Sequence, residues 1–236
     1  MVALLKIHEV EQAPYGEAAD TTLLDLRFRS LVGAEAWNSL PQAVKLRFAK
    51  RLGPGQSVNY AGQVLHCRMS ALGWLIAQGC RLIGAPLPLE REGGVAAVVS
   101  VTEDGATGGQ VWTRVYARKR GFPQVIHSAK RFAGPTGLEE YLGGGFGIAL
   151  NTAADKDGIH FTSDHYFLML AGRRLRLPAW LGPGHLRIDH ADLGDGAFTF
   201  TLTLRHALFG DLMTQHSRFS DQPQTGNHPD KEPCHD

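Results

Sequence analysis

The chain has 236 residues, 43% of them hydrophobic and 20% charged, and its 24 Lys and Arg against 23 Asp and Glu leave a formal charge of +1. That balance fits a globular core, excludes wholesale disorder, and supplies no overall field for nucleic acid or an anionic membrane surface. No apolar run approaches the ~18 residues of a membrane span, Met1 to Tyr15 mixes Lys6, His8, Glu9 and Glu11 among apolar positions unlike a signal peptide, and Cys67, Cys80 and Cys234 are too few and too scattered for a disulfide framework, so a cytoplasmic chain is expected.

The first helix signal is Ser39-Leu40-Pro41, with Ser39 as cap and Pro41 in the opening turn, followed by Ala43, Val44, Leu46 and Phe48 and ended by Gly53-Pro54-Gly55. A second helix opens at Ser70, carries Leu72, Leu75, Ile76, Leu82 and Ile83 at helical spacing beside Trp74, and stops at Gly84 before Pro86. From Gly94 onward short runs are punctuated by turn residues. Val95 to Thr102 and Gln110 to Tyr116, joined through Glu103-Asp104-Gly105, read as a hairpin. Further runs cover Gln124 to Phe132, Phe146 to Ala153, Ile159 to Leu170, His185 to His190, Ala197 to His206 and Leu212 to Phe219. In Ala197 to His206, Phe198, Phe200, Leu202 and Leu204 alternate with threonines, which sets one buried and one wet face. The expected fold is α+β, mainly β: a helical part over about 30–84, then a curved antiparallel sheet or open barrel over about 94–219, with one helix packing on or closing the sheet. A single domain over 1–219 and a disordered polar tail over 220–236 follow from the loss of apolar residues after Phe219.

Standard chemical signatures are missing. Gly143-Gly144-Gly145-Phe146-Gly147 lacks the dinucleotide-binding spacing and reads as a turn, and no phosphate-binding loop, serine elbow or zinc motif occurs. Residues five apart on a strand point to opposite faces unless a bulge intervenes, so His160 with His165 and His185 with His190 do not make ligand pairs, and neither metal nor cofactor is expected. The informative constellation is Trp112, Arg114 and Tyr116, which share one strand face. Turned inward, Arg114 would hold a carboxylate or phosphate while the aromatic rings pack an apolar body; turned outward, the stripe is ordinary surface. Tyr166 and Trp180 complete the candidate ligand-binding set, with Trp74, Phe198 and Phe200 in support. For acid-base catalysis in the same cavity the polar candidates are Arg114, His127, Glu139, His165 and His206, although Glu139-Glu140 before Tyr141 reads as a solvated turn or helix start.

Leu40-Pro41, Trp112-x-Arg114, the Phe122 to Ser128 run, Gly134-Pro135 with Leu138, Leu177-Pro178-x-Trp180-Leu181-x-Pro183, Phe198-x-Phe200 and Gly210 together resemble the bacterial family grouped as domain of unknown function 4166, over about Leu31 to Phe219. Such domains are sometimes joined to a saccharopine-dehydrogenase-like reductase part. The resemblance therefore implies an accessory role beside redox or lipid-type metabolism, with a reductase as partner, and a shared architecture containing Trp112, Arg114 and Pro178 to Trp180. Gln215-His216-Ser217 departs from it, where a Tyr-x-Gly element would be expected. The function expected is binding of a small apolar or amphipathic, lipid-like or anionic-headed ligand; an enzyme in the same cavity and an interaction module for a separate reductase are the alternatives.

Overall fold

A computed structural model describes residues 25–53 and 56–221. The expectations for Met1 to Tyr15, for Cys234 and for the tail beyond 221 lie outside these residues. Among the described residues the chain runs through three short helices, α1 (Arg27–Val32), α2 (Ala34–Ser39) and α3 (Gln42–Phe48), into β1 (Ser57–Met69) and α4 (Ala71–Gly79), which continues as a 3-10 turn over Cys80–Ile83. Ten of the next eleven elements are strands: β2 (Val95–Asp104), β3 (Gly109–Tyr116), β4 (Gln124–Arg131), β5 (Glu139–Gly143), β6 (Phe146–Ala154), β7 (Gly158–Leu170), β8 (Arg173–Arg176), β9 (His185–Gly194), β10 (Ala197–His206) and β11 (Gly210–Ser220), the exception being a 3-10 turn at Ala179–Leu181 between β8 and β9.

The sheet is closed as well as curved. Antiparallel neighbours follow the order β6-β5-β4-β3-β2-β1-β11-β10-β9-β7, and the β6–β7 pairing joins the two edges into a ten-stranded barrel. Closure removes the exposed edges an open sheet would present. The 13-residue β7 pairs along one side with β6; along the other it pairs first with β9 and then, beyond the rim, with β8. Ser220 closes β11, and the Asp221 amide donates to the Gly196 carbonyl.

Antiparallel succession fixes two ends. The β2–β3, β4–β5, β6–β7 and β9–β10 connections share one end with α1–α3, whose Phe28, Trp37, Val44 and Phe48 plug it, Phe28 and Phe48 meeting Phe161 of the barrel edge-on or tilted at 6.1 and 6.0 Å. Arg47 fastens this plug through ion pairs to Asp192 at 2.9 Å and Asp221 at 2.5 Å. The β1–β2 connection containing α4, the β3–β4, β5–β6 and β10–β11 turns, and the segment from β7 to β9 gather at the other end, the mouth. Ser70 caps α4, its hydroxyl accepting from the Gly73 amide at 3.1 Å. Gly73 lets α4 approach β11 closely, since a Cβ there would lie 2.1 Å from the Leu212 carbonyl oxygen. Ser39 does not cap as expected: it ends α2, and Pro41 occupies the N-cap of α3.

Candidate functional site

Side chains alternate in and out along every barrel strand. On β3 the inward set is Gln110, Trp112, Arg114 and Tyr116; on β4 it is Gln124, Ile126, Ser128 and Lys130; on β5 it is Glu140 and Leu142. Register then does the rest, because Trp112 lies opposite Ser128, Gln110 opposite Lys130, and Lys130 opposite Glu140. The Lys130 ammonium donates to Glu140 Oε2 at 2.7 Å, Arg114 donates to Glu140 Oε1 at 3.2 Å and to Ser128 Oγ at 3.1 Å, and Ser128 Oγ donates to Glu140 Oε1 at 2.6 Å. Trp112 organises both cations, with the Lys130 ammonium 5.2 Å and the Arg114 guanidinium 5.8 Å from its ring. Its own indole N–H donates to Gln110.

Burial by itself would raise the Glu140 pKa, but the Lys130 and Arg114 charges, with hydrogen bonds from Lys130 and Ser128, outweigh it and hold the carboxyl at about 2. Burial pushes the Lys130 ammonium down, with Glu140 opposing and Arg114 reinforcing the shift. Glu140 is thus held ionised between the Arg114 guanidinium and Lys130, whose charged form burial disfavours and Glu140 favours.

A cavity of about 360 Å³ opens from this cluster toward the mouth. Ile148, Phe161, Ile188, Phe200 and Leu202 form its apolar walls; Ile76, Ile83 and Leu87 from the α4 segment and Leu177, Leu181 and Pro183 from the β8–β9 connection roof it. Tyr166 contributes a buried hydroxyl whose pKa is raised by burial. This volume lies within the usual range for small-molecule sites, apolar with a few convergent polar groups.

The candidate ligand residues Trp112, Arg114, Tyr116 and Tyr166 all line the cavity, whereas Trp180 stands outside it, 78% exposed, and its half-exposed neighbour Leu181 borders the opening. Of the acid-base candidates only Arg114 faces the cavity. His127 is exposed and meets Thr113 on the outer surface, Glu139 points outward to Arg174 and the Tyr141 hydroxyl, His165 pairs with Asp164, and His206 lies at the rim against Phe209. The segment Glu139-Glu140 is a strand and not a solvated turn. A bulge at Asp164 brings His160 and His165 to the same outer face, where His160 is held between Asp155 and Asp189; no group of three metal-binding side chains occurs among the described residues. Ser128 and Lys130 escaped the sequence reading, and Glu140 was set aside with Glu139 as a solvated turn or helix start. The alternation Ile126, Ser128, Lys130 inside a run already read as a strand was the available signal.

The profile of a protein family described as a domain of unknown function (DUF4166) matches residues 40–219. The chain belongs to that family. No curated protein and no solved structure matches it significantly. Within the DUF4166 domain, the matched span includes α3 and the barrel up to Phe219, one residue short of the end of β11, but not α1 and α2. Gln215 and Ser217 face the cavity from β11, so the departure from the family pattern noted above falls on the cavity wall.

Proposed function

We propose that the barrel binds one small amphipathic, lipid-like molecule whose acidic head meets Arg114 and Lys130 and whose apolar body fills the space toward the mouth. The supporting observation is the pair of basic side chains beside an apolar cavity: Arg114 and Lys130 share the single carboxylate of Glu140. A buried charge without a full complement is costly, and an incoming carboxylate or phosphate supplies the complement with charge-assisted hydrogen bonds. Tyr166, Phe161 and Phe200 would then pack the apolar body.

Acid-base catalysis in the same cavity has less support, because four of its five candidate side chains face elsewhere. Native and denaturing mass spectra of the purified protein test the binding reading. The expected result is a stoichiometric mass excess matching an acidic amphiphile, or uptake of added decanoate by a bare chain. A bare chain that takes up no carboxylate amphiphile contradicts it.

A further inference from the structure

The mouth end differs from the rest of the surface in two independent ways. The five most exposed large apolar side chains of the described residues, Leu82, Phe122, Leu208, Trp180 and Phe209, all stand on its connections, with Leu82 92% and Phe122 91% exposed. They are tips of four separate loops around one opening, not a continuous groove. The helix α4 has no charged residue, Gln78 is its one polar side chain, and both faces carry apolar residues: Leu72 and Ile76 pack inward while Trp74 and Leu75 face outward. A helix of that kind ordinarily sits within a core or against lipid.

Charge is also segregated. The mouth connections (70–94, 117–123, 143–145, 170–184 and 207–209) carry eight Lys and Arg against two Asp and Glu, while the connections at the plugged end (105–108, 132–138, 155–157 and 195–196) together with the helical segment 25–53 carry seven Lys and Arg against five Asp and Glu. Two clusters account for most of it, Arg118-Lys119-Arg120 and Arg173-Arg174-x-Arg176. Among the described residues Arg120 and Arg173 make no ion pair; Arg118, Lys119 and Arg176 pair at the exposed rim, and Arg174 pairs with the buried Glu139. The overall charge of +1 conceals this asymmetry.

We propose that the mouth of the barrel docks on an anionic membrane surface, with Leu82, Phe122, Trp180, Leu208 and Phe209 entering the headgroup layer and the two basic clusters meeting lipid phosphates. Apolar tips interleaved with Lys and Arg are what such an interface takes up, the tips by area buried and the cations by surface potential. A second copy of the chain fits less well, because a two-fold interface would set each basic cluster near its own kind. The inference rests on the cavity reading, and gives it a route: the cavity's polar cluster lies deep, while its apolar roof, α4 and the 177–183 segment, is the part that would touch the bilayer.

Flotation with vesicles of phosphatidylcholine, alone or mixed with phosphatidylglycerol, tests the docking. The full chain is expected to float with the mixed vesicles and to lose binding about tenfold or more in a Phe122→Ser/Trp180→Ser double variant and in an Arg120→Glu/Arg173→Glu double variant. Leu193→Ser, at the opposite end, is expected to bind as the parent does. Absence of binding to mixed vesicles, or binding unchanged in both double variants, overturns the proposal. So does a concentration-dependent dimer that is lost in the same variants while vesicles are ignored. Uptake of a fluorescent fatty acid, measured in parallel, separates the two readings: uptake without vesicle binding sinks the docking alone, and vesicle binding without uptake supports the docking and sinks the cavity reading.

Discussion

Glu140→Gln should lower stability and raise affinity for an anionic ligand at the same time. The carboxylate is buried and accepts from Lys130, Arg114 and Ser128 at 2.7, 3.2 and 2.6 Å. Glutamine keeps the shape and removes the charge, which leaves Lys130, fully buried, and Arg114 without their counter-ion. Breaking a buried pair from one side costs about 3–5 kcal/mol, and because burial already depresses the Lys130 pKa, loss of its proton limits the cost toward about 3. For a domain of this size that is a fall of about 6–12 °C in melting temperature. Thermal melts and urea denaturation at pH 7.5 measure the loss; titration with decanoate measures the affinity, which should rise by about tenfold as Arg114 loses its counter-ion and an incoming carboxylate takes the place of Glu140. A stability loss under about 1 kcal/mol, or weaker decanoate binding in the variant, would refute the electrostatic reasoning.

Acid stability gives a second test. His190 is buried among Phe48, Phe198 and Phe200, neither ring nitrogen has a hydrogen-bond partner among the described residues, and burial, aided by Arg47, holds its pKa down at about 3. The folded state keeps it neutral while the unfolded chain takes up a proton below 6.5, so stability falls as pH drops from 6.5 toward 3. The cost should reach about 2 kcal/mol at pH 5, and urea midpoints of His190→Phe, compared at pH 7 and pH 5, should lack that part of the decline. Glu140, depressed to about 2 from 4.5, adds stability above 4.5 that is lost only below it, so Glu140→Gln should flatten a separate, more acidic window. Gly73→Val should force α4 away from the Leu212 carbonyl, costing about 1–3 kcal/mol and speeding ligand exchange in stopped-flow traces; unchanged exchange would show that α4 is not part of the roof.

Strands with strict alternation were legible from residues alone: β10 runs over Ala197–His206 as read, and β3 with β2 forms the expected hairpin. The strand β1 was not, because Gly62 and polar residues dilute its pattern and a bulge between Val64 and His66 shifts the alternation midway. The short β5 was obscured for a different reason. Two adjacent glutamates look solvated until partners distant in sequence, Arg174 outside and Lys130 with Arg114 inside, are brought to them. The helices α1 and α2 have six residues each and no side-chain cap, so neither periodicity nor a start signal marked them. Alternation did group Trp112, Arg114 and Tyr116 on one face, but which face pointed inward depended on barrel closure, a property of all ten strands.

Titration of dodecanoate against dodecanol, in the parent chain and in Arg114→Leu, tests most directly the claim that the cavity recognises an acidic head beside an apolar body. The chain lengths match, so any difference reports the head alone. The parent is expected to prefer the carboxylate by about tenfold or more, the worth of one charge-assisted hydrogen-bonded contact, and the preference should shrink in the variant while dodecanol binding holds. Equal binding of both compounds by the parent, or binding of neither, would contradict it.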